Sequence, residues 1–268
     1  MRLDFHTHGK LAKKLPFSPA YTDWLFGEAR GAGLDALCLT EHFNTLQFHD
    51  LYQYLSSVSR RVDDALELEN GLTIFPGMET DVSEGGHILS LGPLEAILEL
   101  NERLEPHKER GNFLPFEALM NLFSEYPVLV GCGHPFRDGG HVPELPLEQL
   151  RRLSFLDLNG KDLALDRSRT EALTYALGSR LEIPVVSGSD THQAVQYGCV
   201  TTVFERECRS ISALKAEMNA GRYEIVLSDT AAAQVRTACL LKRSLKEIHA
   251  LGGDYVSILT KEAAECVS

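Results

Sequence analysis

Short apolar segments that end in histidine or carboxylate residues recur along the chain, and they restrict its fold more than any other feature. The first leads into His6 and His8, and later ones lead into Glu41-His42, Glu79, His134 and Asp190-Thr191-His192. In a parallel α/β barrel all strands end at one mouth, where their last residues meet. Imidazoles mixed with carboxylates are typical ligands of zinc, manganese and iron. The pattern therefore predicts several metal ions at the mouth of a barrel.

Apolar segments alternate with helical patterns over most of the sequence. Strands are predicted at residues 2–5, 34–40, 72–79, 88–92, 127–131, 155–159, 184–187 and 200–204. Helices are predicted at residues 20–32, 50–69, 115–125, 167–180, 210–220 and 231–251. Alternation of this kind is typical of βαβ units. Seven or eight strands in about 250 residues favour a closed barrel, and residues 1–268 are predicted to form one domain.

Two segments interrupt the alternation. Residues 79–92 place two apolar runs around Ser83-Glu84-Gly85-Gly86, which predicts a hairpin. Residues 101–115 are charged and poor in apolar side chains, which predicts a loop on the surface or over the mouth.

The composition narrows the class of partner. The formal charge of −12 and a pI near 5.3 argue against binding an extended nucleic acid, which needs a basic face. No apolar leader begins the chain and no run reaches membrane-spanning length, so we expect a cytoplasmic protein without a membrane partner.

The six cysteines include no C-x-x-C pair and are expected to be reduced thiols; they are Cys38, Cys132, Cys199, Cys208, Cys239 and Cys266. The oligomeric state is not predicted.

Each cluster also has a simpler interpretation. His6 and His8, two residues apart in a strand, can face one ion or can be polar residues leaving the strand. Asp190 can be a ligand or the N-cap of a helix. His87 starts an apolar run, so it is either an exposed turn residue or a ligand placed at the mouth by the hairpin after Glu79. A glutamate ending a buried strand is costly unless a cation pairs with it.

Taken in order, the motifs resemble those of the polymerase and histidinol phosphatase (PHP) superfamily. They are Asp4-x-His6-x-His8, Thr40-Glu41-His42, Pro76-Gly77-x-Glu79, His87, Gly133-His134-Pro135 and Ser189-Asp190-x-His192. The resemblance runs from residue 4 to residue 192, about two-thirds of the chain. It implies a distorted (β/α)7 barrel of the metal-dependent hydrolase type, two or three divalent ions (zinc, manganese or iron) and phosphoester hydrolysis.

The resemblance also implies how the ligands divide among the ions. His6, His8, Glu79 and Asp190 would hold one ion, and Glu79 would bridge to a second held by His87 and His134. His42 and His192 would belong to a third ion. The superfamily often has another histidine about six residues after the H-x-H pair, where this chain has Gly9-Lys10-Leu11-Ala12-Lys13-Lys14. Thr40-Glu41-His42 also replaces the more usual Thr-Asp-His, so the number of ions stays open.

The predicted activity is hydrolysis of a small phosphorylated metabolite or nucleotide by a metal-bridged hydroxide. The catalytic set would be Glu79, Asp190 and His192, with His192 as a candidate acid for the leaving group. Arg137 and Lys10 are candidates for binding the substrate phosphate, with surface roles as the alternative. An amidohydrolase-like reaction on a cyclic amide or lactone is the main alternative function. A non-catalytic, metal-stabilised partner module is a third.

Overall fold

A barrel-shaped sheet organises the chain in the computed structural model, which describes residues 1–260. Its strands are β1 (Arg2–Thr7), β2 (Ala36–Leu39), β3 (Ser59–Val62), β4 (Ala65–Leu68), β5 (Thr73–Asp81), β6 (His87–Leu91), β7 (Leu129–Gly133), β8 (Phe155–Asn159), β9 (Val185–Gly188), β10 (Val200–Phe204) and β11 (Tyr223–Leu227). Its helices are α1 (Pro19–Gly31), α2 (Phe48–Val58), α3 (Leu94–Arg103), α4 (Phe116–Phe123), α5 (Leu147–Leu150), α6 (Gly160–Leu165), α7 (Arg167–Leu181), α8 (Ile211–Asn219), α9 (Ala231–Ala250) and α10 (Tyr255–Thr260). Cys266 lies outside the described residues, and a single domain over residues 1–268 stays a prediction.

Seven strands form the nearly closed wall of the barrel, in the order β1-β2-β5-β6-β7-β8-β9. Only β6 is antiparallel to its neighbours in this wall. The wall closes at the mouth, where Asp190 N donates to His6 O at 2.7 Å and His8 N donates to Thr191 O at 3.0 Å. Next to β1, the antiparallel pair β10–β11 extends the sheet. The predicted distorted (β/α)7 barrel is thereby confirmed.

Two apolar clusters fill the molecule. One contains side chains from all seven wall strands, among them Phe5, Phe75 and Phe155, and therefore lies inside the barrel. The other joins the outer faces of the strands to the surrounding helices. The Phe5 and Phe155 rings lie 5.7 Å apart across the interior, below the mouth. This apolar floor leaves only the mouth for the polar side chains at the strand ends.

The structure differs from the predicted elements in several places. The helix predicted at 50–69 ends at Val58, because Asp63 takes a left-handed conformation (φ 51°) and turns β3 back on β4. The segment 101–115, predicted as a loop, begins inside α3, whose residues from Leu94 onward had no helical prediction. Strand β11 was also not predicted. The hairpin predicted at residues 79–92 is confirmed, with Gly85 and Gly86 at positive φ in its turn.

Candidate metal centre

The eight predicted ligands all lie around the mouth of the barrel. His6 is in β1, and His8 follows the end of that strand. Glu79 lies in β5, and His87 begins β6 beside it. The others follow the ends of β2, β7 and β9; they are His42, His134, Asp190 and His192. Contacts between strands that are distant in sequence thus bring together side chains from six places in the chain.

A β-bulge explains how β1 contributes to the centre. Phe5 lies in the interior apolar cluster, so strict alternation would turn His6 to the outer face. The pairing of β1 with β2 shifts register between Asp4 and Thr7, and such an irregularity re-aims the side chains that follow it. His6 consequently joins Glu79 on the inside, with its Nε2 atom 3.2 Å from Glu79 Oε1.

The Glu79 carboxylate is the centre of the cluster and is 1% exposed. Oε1 lies 2.5 Å from His87 Nδ1, 3.1 Å from His134 Nε2 and 3.2 Å from His6 Nε2. Oε2 lies 2.8 Å from His42 Nδ1 and 3.5 Å from His8 Nε2. One buried carboxylate therefore contacts five imidazoles.

Three subsets of these side chains bring their ligand atoms within 4.8 Å of one another. They are His6, His8 and Asp190; His6, Glu79 and His134; and His8, His42 and His192. These groups differ from the implied division in three respects: Glu79 is absent from the first, His6 takes the place of His87 in the second, and His8 joins His42 and His192 in the third. The assignment of ligands to individual ions stays a prediction. The His87 and His134 rings still meet, with Nδ1 of the first 3.0 Å from Nε2 of the second.

The unpaired atoms of the cluster fit metal ions. Among the described residues, His6 Nε2, both ring nitrogens of His8, His42 Nδ1 and Glu79 Oε2 are buried without a hydrogen-bond partner. Buried polar atoms are nearly always satisfied, because an unmade hydrogen bond leaves the cost of desolvation uncompensated. These atoms face one another at the mouth, and imidazole nitrogen with carboxylate oxygen is a donor set that zinc, manganese and iron accept.

The backbone is strained at two of the candidate ligands. His134 has φ 30° and Asp190 has φ 56°, in the left-handed region that non-glycine residues seldom adopt. Such conformations cost roughly 1–3 kcal/mol each and cluster at functional sites. Just before Asp190, Gly188 passes so close to β1 that a Cβ atom there would lie 2.2 Å from His6 Cβ. Backbone strain at Asp190 therefore accompanies the close approach of β1 and the residues after β9.

Carboxylates outside the cluster orient the imidazoles. Asp157 Oδ2 lies 2.9 Å from His6 Nδ1, a contact that the sequence did not predict. The signal was available, since Asp157 and Asn159 alternate with leucines at the end of an apolar strand. Asp81 Oδ1 lies 3.1 Å from His87 Nε2, and Glu41 Oε1 lies 3.8 Å from His8 Nδ1. Neighbours of this kind fix which ring nitrogen faces an ion.

The pKa values within the cluster are pushed apart. Burial, with Arg137 nearby, lowers the pKa of His134 to about 4. Burial likewise holds the pKa of His42 below and that of His192 well below the ordinary value. At His87 burial acts in the same direction, but Glu79 and Asp81 outweigh it and raise the pKa to about 10. Despite burial, the imidazoles around Glu79 hold the pKa of its carboxyl well below the usual range, so the carboxylate is ionised.

Cations lie beside Asp190. Its Oδ2 accepts from Arg137 Nη1 at 2.8 Å, and its Oδ1 lies 2.9 Å from Lys161 Nζ. The other guanidinium nitrogens of Arg137 donate to Asp162 and Asn159, both at 2.9 Å or less. Protein acceptors thus hold Arg137 at three points, an arrangement that positions Asp190. Substrate binding by Arg137 stays a prediction. The position of Lys161 beside Asp190 was not predicted from the sequence.

Lys10 is directed into the protein. It is 2% exposed, and Nζ donates to Thr45 Oγ1 at 3.0 Å and to the backbone oxygen of Leu46. Its backbone oxygen lies 2.9 Å from His192 Nδ1 and orients that ring. The predicted contact between its ammonium and the substrate is untested, but these partners indicate that it ties the loop after β1 to the loop after β2.

Solved structures with the same fold are known, although no family model matches the chain and no curated protein matches it by sequence. PsfC of Pseudomonas syringae PB-5123 is 22% identical with a TM-score of 0.72, over 91% of this chain and 98% of PsfC. The lesion-specific endonuclease PfuEndoQ of Pyrococcus furiosus is 19% identical with a TM-score of 0.63, and the match spans 84% of this chain but 57% of that protein. An amidohydrolase from Chromobacterium violaceum is 17% identical with a TM-score of 0.51, over 83% and 97% of the two chains.

These likenesses, all below 25% identity, show the fold alone. Within residues 1–260, none of the helices combines the length and the apolarity needed to cross a membrane.

Proposed function

We propose that the protein is a metal-dependent phosphoesterase acting on a small phosphorylated metabolite or nucleotide. The observation that carries the proposal is the contact of the buried Glu79 carboxylate with five imidazoles at the mouth of the barrel. A carboxylate so placed can join two ions, and paired ions suit hydrolysis of phosphate esters because they stabilise both the attacking and the leaving oxygen.

Two or three divalent ions (zinc, manganese or iron) would occupy the cluster. His6, His8 and Asp190 would hold one, and Glu79 would connect it to a second held with His134 and His87. His42, His192 and His8 are the residues available to a third. When bound, such ions supply a Lewis acid and an activated water.

The chain's own groups prepare this centre. Glu79 stays ionised at neutral pH, and His42, His134 and His192 stay neutral and able to donate a lone pair. The carbonyl of Lys10 next to His192 Nδ1 favours a ring protonated there, which turns the Nε2 lone pair toward Asp190, 3.8 Å away. That arrangement supports His192 as a ligand more than as the acid for the leaving group.

The size of the substrate is part of the proposal. Two of the similar structures are endonuclease Q proteins, one of them in complex with a 27-mer duplex carrying an abasic lesion. The match spans little more than half of the length of those proteins. The net charge of −12 of this chain opposes binding to a long phosphate backbone. A small phosphate ester is therefore favoured over a nucleic acid.

A second candidate is hydrolysis of a cyclic amide or lactone on the same centre. The Chromobacterium violaceum amidohydrolase has a similar fold, which supports this reaction as a second candidate. Both reactions use the same ligands, so substrate chemistry has to separate them.

One experiment tests both candidates. Protein purified without chelator is analysed for bound metal and then assayed, with zinc, manganese or iron added, on matched panels of phosphate esters, cyclic amides and lactones. We expect at least two transition-metal ions per chain and turnover confined to phosphate esters. Fewer than one ion per chain after added metal would contradict the metal centre, and turnover confined to amides or lactones would favour the second candidate.

A further inference from the structure

A cavity of about 870 Å³ lies beside the candidate metal centre. The candidate ligand His87 lines it, together with residues from the loops after β1 and β2, the turn of the β5–β6 hairpin and the segment 108–113. Because a ligand side chain forms part of its wall, a molecule bound in this cavity can extend to the metal centre.

The segment 108–113 is held in place by contacts with the loop after β2. The backbone oxygen of Lys108 accepts from Asn44 Nδ2 at 3.1 Å. The Phe113 ring lies 5.8 Å from the Phe43 ring, in an edge-to-face arrangement. Part of the segment predicted as a loop on the surface or over the mouth thus forms a fixed wall of the cavity.

The cavity has an excess of positive charge, although the formal charge of the chain is −12. Four basic side chains and two acidic ones line it; the basic residues are Lys13, Lys14, Lys108 and Arg110, and the acidic ones are Asp81 and Glu109. Charges of one sign that line a cleft raise the local concentration of ligands of the opposite sign. The cavity therefore favours anionic ligands in a protein whose overall charge repels them.

Lys13 connects the cavity to the candidate ligands. Its Nζ lies 3.9 Å from Asp81 Oδ2, and Asp81 Oδ1 lies 3.1 Å from His87 Nε2. Asp81 Oδ2 is buried and has no hydrogen-bond partner among the described residues. Lys13 is therefore the natural counter-charge of Asp81, and through it of the metal centre.

Two other cations of the cavity are available to a ligand. Lys108 is engaged, since its Nζ donates to Asn101 Oδ1 at 2.9 Å and pairs with Glu105 Oε2 at 2.6 Å. Within residues 1–260, Lys14 and Arg110 form neither an ion pair nor a side-chain hydrogen bond. A guanidinium can bind both oxygens of a carboxylate or two oxygens of a phosphate.

We propose that this cavity is the substrate site and that Lys14 and Arg110 bind a second anionic group of the substrate, distinct from the phosphate at the metal centre. The substrate class is accordingly a phosphate ester that carries a further oxyanion, either a carboxylate or a phosphate. This inference rests on the proposed function for the reacting phosphate. Phe113 supplies an apolar surface for the part of the substrate between the two charges.

The test measures by calorimetry how tightly metal-loaded protein binds three phosphonates, which contain no ester bond to hydrolyse. Two of them carry a second anionic group; they are para-carboxyphenylphosphonate and para-phenylenediphosphonate. The third, para-nitrophenylphosphonate, has a similar shape without that group. The wild type should bind at least one of the first two roughly 10- to 100-fold more tightly than the third. The larger gain identifies the second group as carboxylate or phosphate.

The double variant Lys14→Ala/Arg110→Ala should lose most of that gain. Arg151→Ala/Lys215→Ala is the matched control, because it removes two exposed cations from the end of α5 and from α8 and changes the net charge equally. The control should keep the gain. Neither double variant should lose metal or thermal stability, since all four side chains are exposed.

Equal binding of the three phosphonates by the wild type would overturn the proposal, as would a gain that survives in Lys14→Ala/Arg110→Ala or disappears in the control. Loss of metal in Lys14→Ala/Arg110→Ala would also overturn it, because the two cations would then support the ligands. Phosphate-ester turnover by the wild type tests the proposed function separately. The gain without such turnover would keep the anion site and reject the phosphoesterase, and turnover without the gain would do the reverse.

Discussion

The Oδ2 atom of Asp157 lies 2.9 Å from Nδ1 of His6, with both side chains fully buried. This contact leaves Nε2 of His6 directed at Glu79, 3.2 Å away. Asp157 also accepts from His134 N at 3.3 Å and from Asn159 Nδ2 at 2.9 Å, so one carboxylate from β8 supports two of the candidate ligands. The wall strand that supplies none of the predicted ligands therefore organises them.

Asp157→Asn is expected to weaken metal binding by about 10- to 100-fold, because outer partners of ligating histidines have effects of that size. Competition against a metal-sensitive dye measures the affinity. Asp166→Asn is the matched control, since asparagine replaces aspartate well at the exposed N-cap of α7. Equal metal affinity in the two variants would show that Asp157 does not support metal binding.

Glu79→Gln is expected to reduce metal content and turnover more than His42→Ala does. Glu79 contacts five imidazoles, whereas His42 is one of the residues available to the proposed third ion. Losing the charge should reduce metal affinity by more than about 100-fold, with a smaller loss for His42→Ala. Elemental analysis and kcat measure both effects, and Glu148→Gln on the surface is the control. Comparable mild losses in the first two variants would show that Glu79 does not join the ions.

Arg137→Ala is expected to lower metal affinity as well as turnover. The guanidinium donates hydrogen bonds to Asp190, Asp162 and Asn159. Without it, the Asp190 carboxylate is no longer held in the orientation that faces the other ligands. Arg137→Lys should restore only part of the affinity, because an ammonium cannot make the three directed contacts. If metal affinity is unchanged and the KM for phosphate esters is raised, the result would instead support the substrate contact predicted for Arg137 from the sequence.

Gly188→Ala is expected to destabilise the fold. The added Cβ would lie 2.2 Å from His6 Cβ and 2.7 Å from His6 N, so the backbone of β1 or β9 must move. Overpacking of this kind costs about 1–3 kcal/mol in the free energy of unfolding and sometimes more. Urea denaturation measures it. Gly27→Ala provides the contrast, since nothing lies within 4 Å of its Cβ and alanine favours the interior of α1.

Part of the centre follows from local sequence alone. A ligand at the end of an apolar strand is a local pattern, so His6, Glu79 and His134 could be predicted at the mouth from residues next to them in the chain. The barrel itself could be predicted because alternating strands and helices leave few ways to bury both faces of a sheet. The same local reasoning failed at residues 59–68, where the Asp63 turn outweighed helical periodicity.

The partners of these ligands depended on contacts between distant parts of the chain. Arg137 follows His134 by three residues in the chain, but its pairing with Asp190 arises from the approach of the β7 and β9 loops. The sequence by itself determined which residues end the strands. Tertiary structure decided which charges face one another, because electrostatic contacts depend on distance in space and not on separation along the chain.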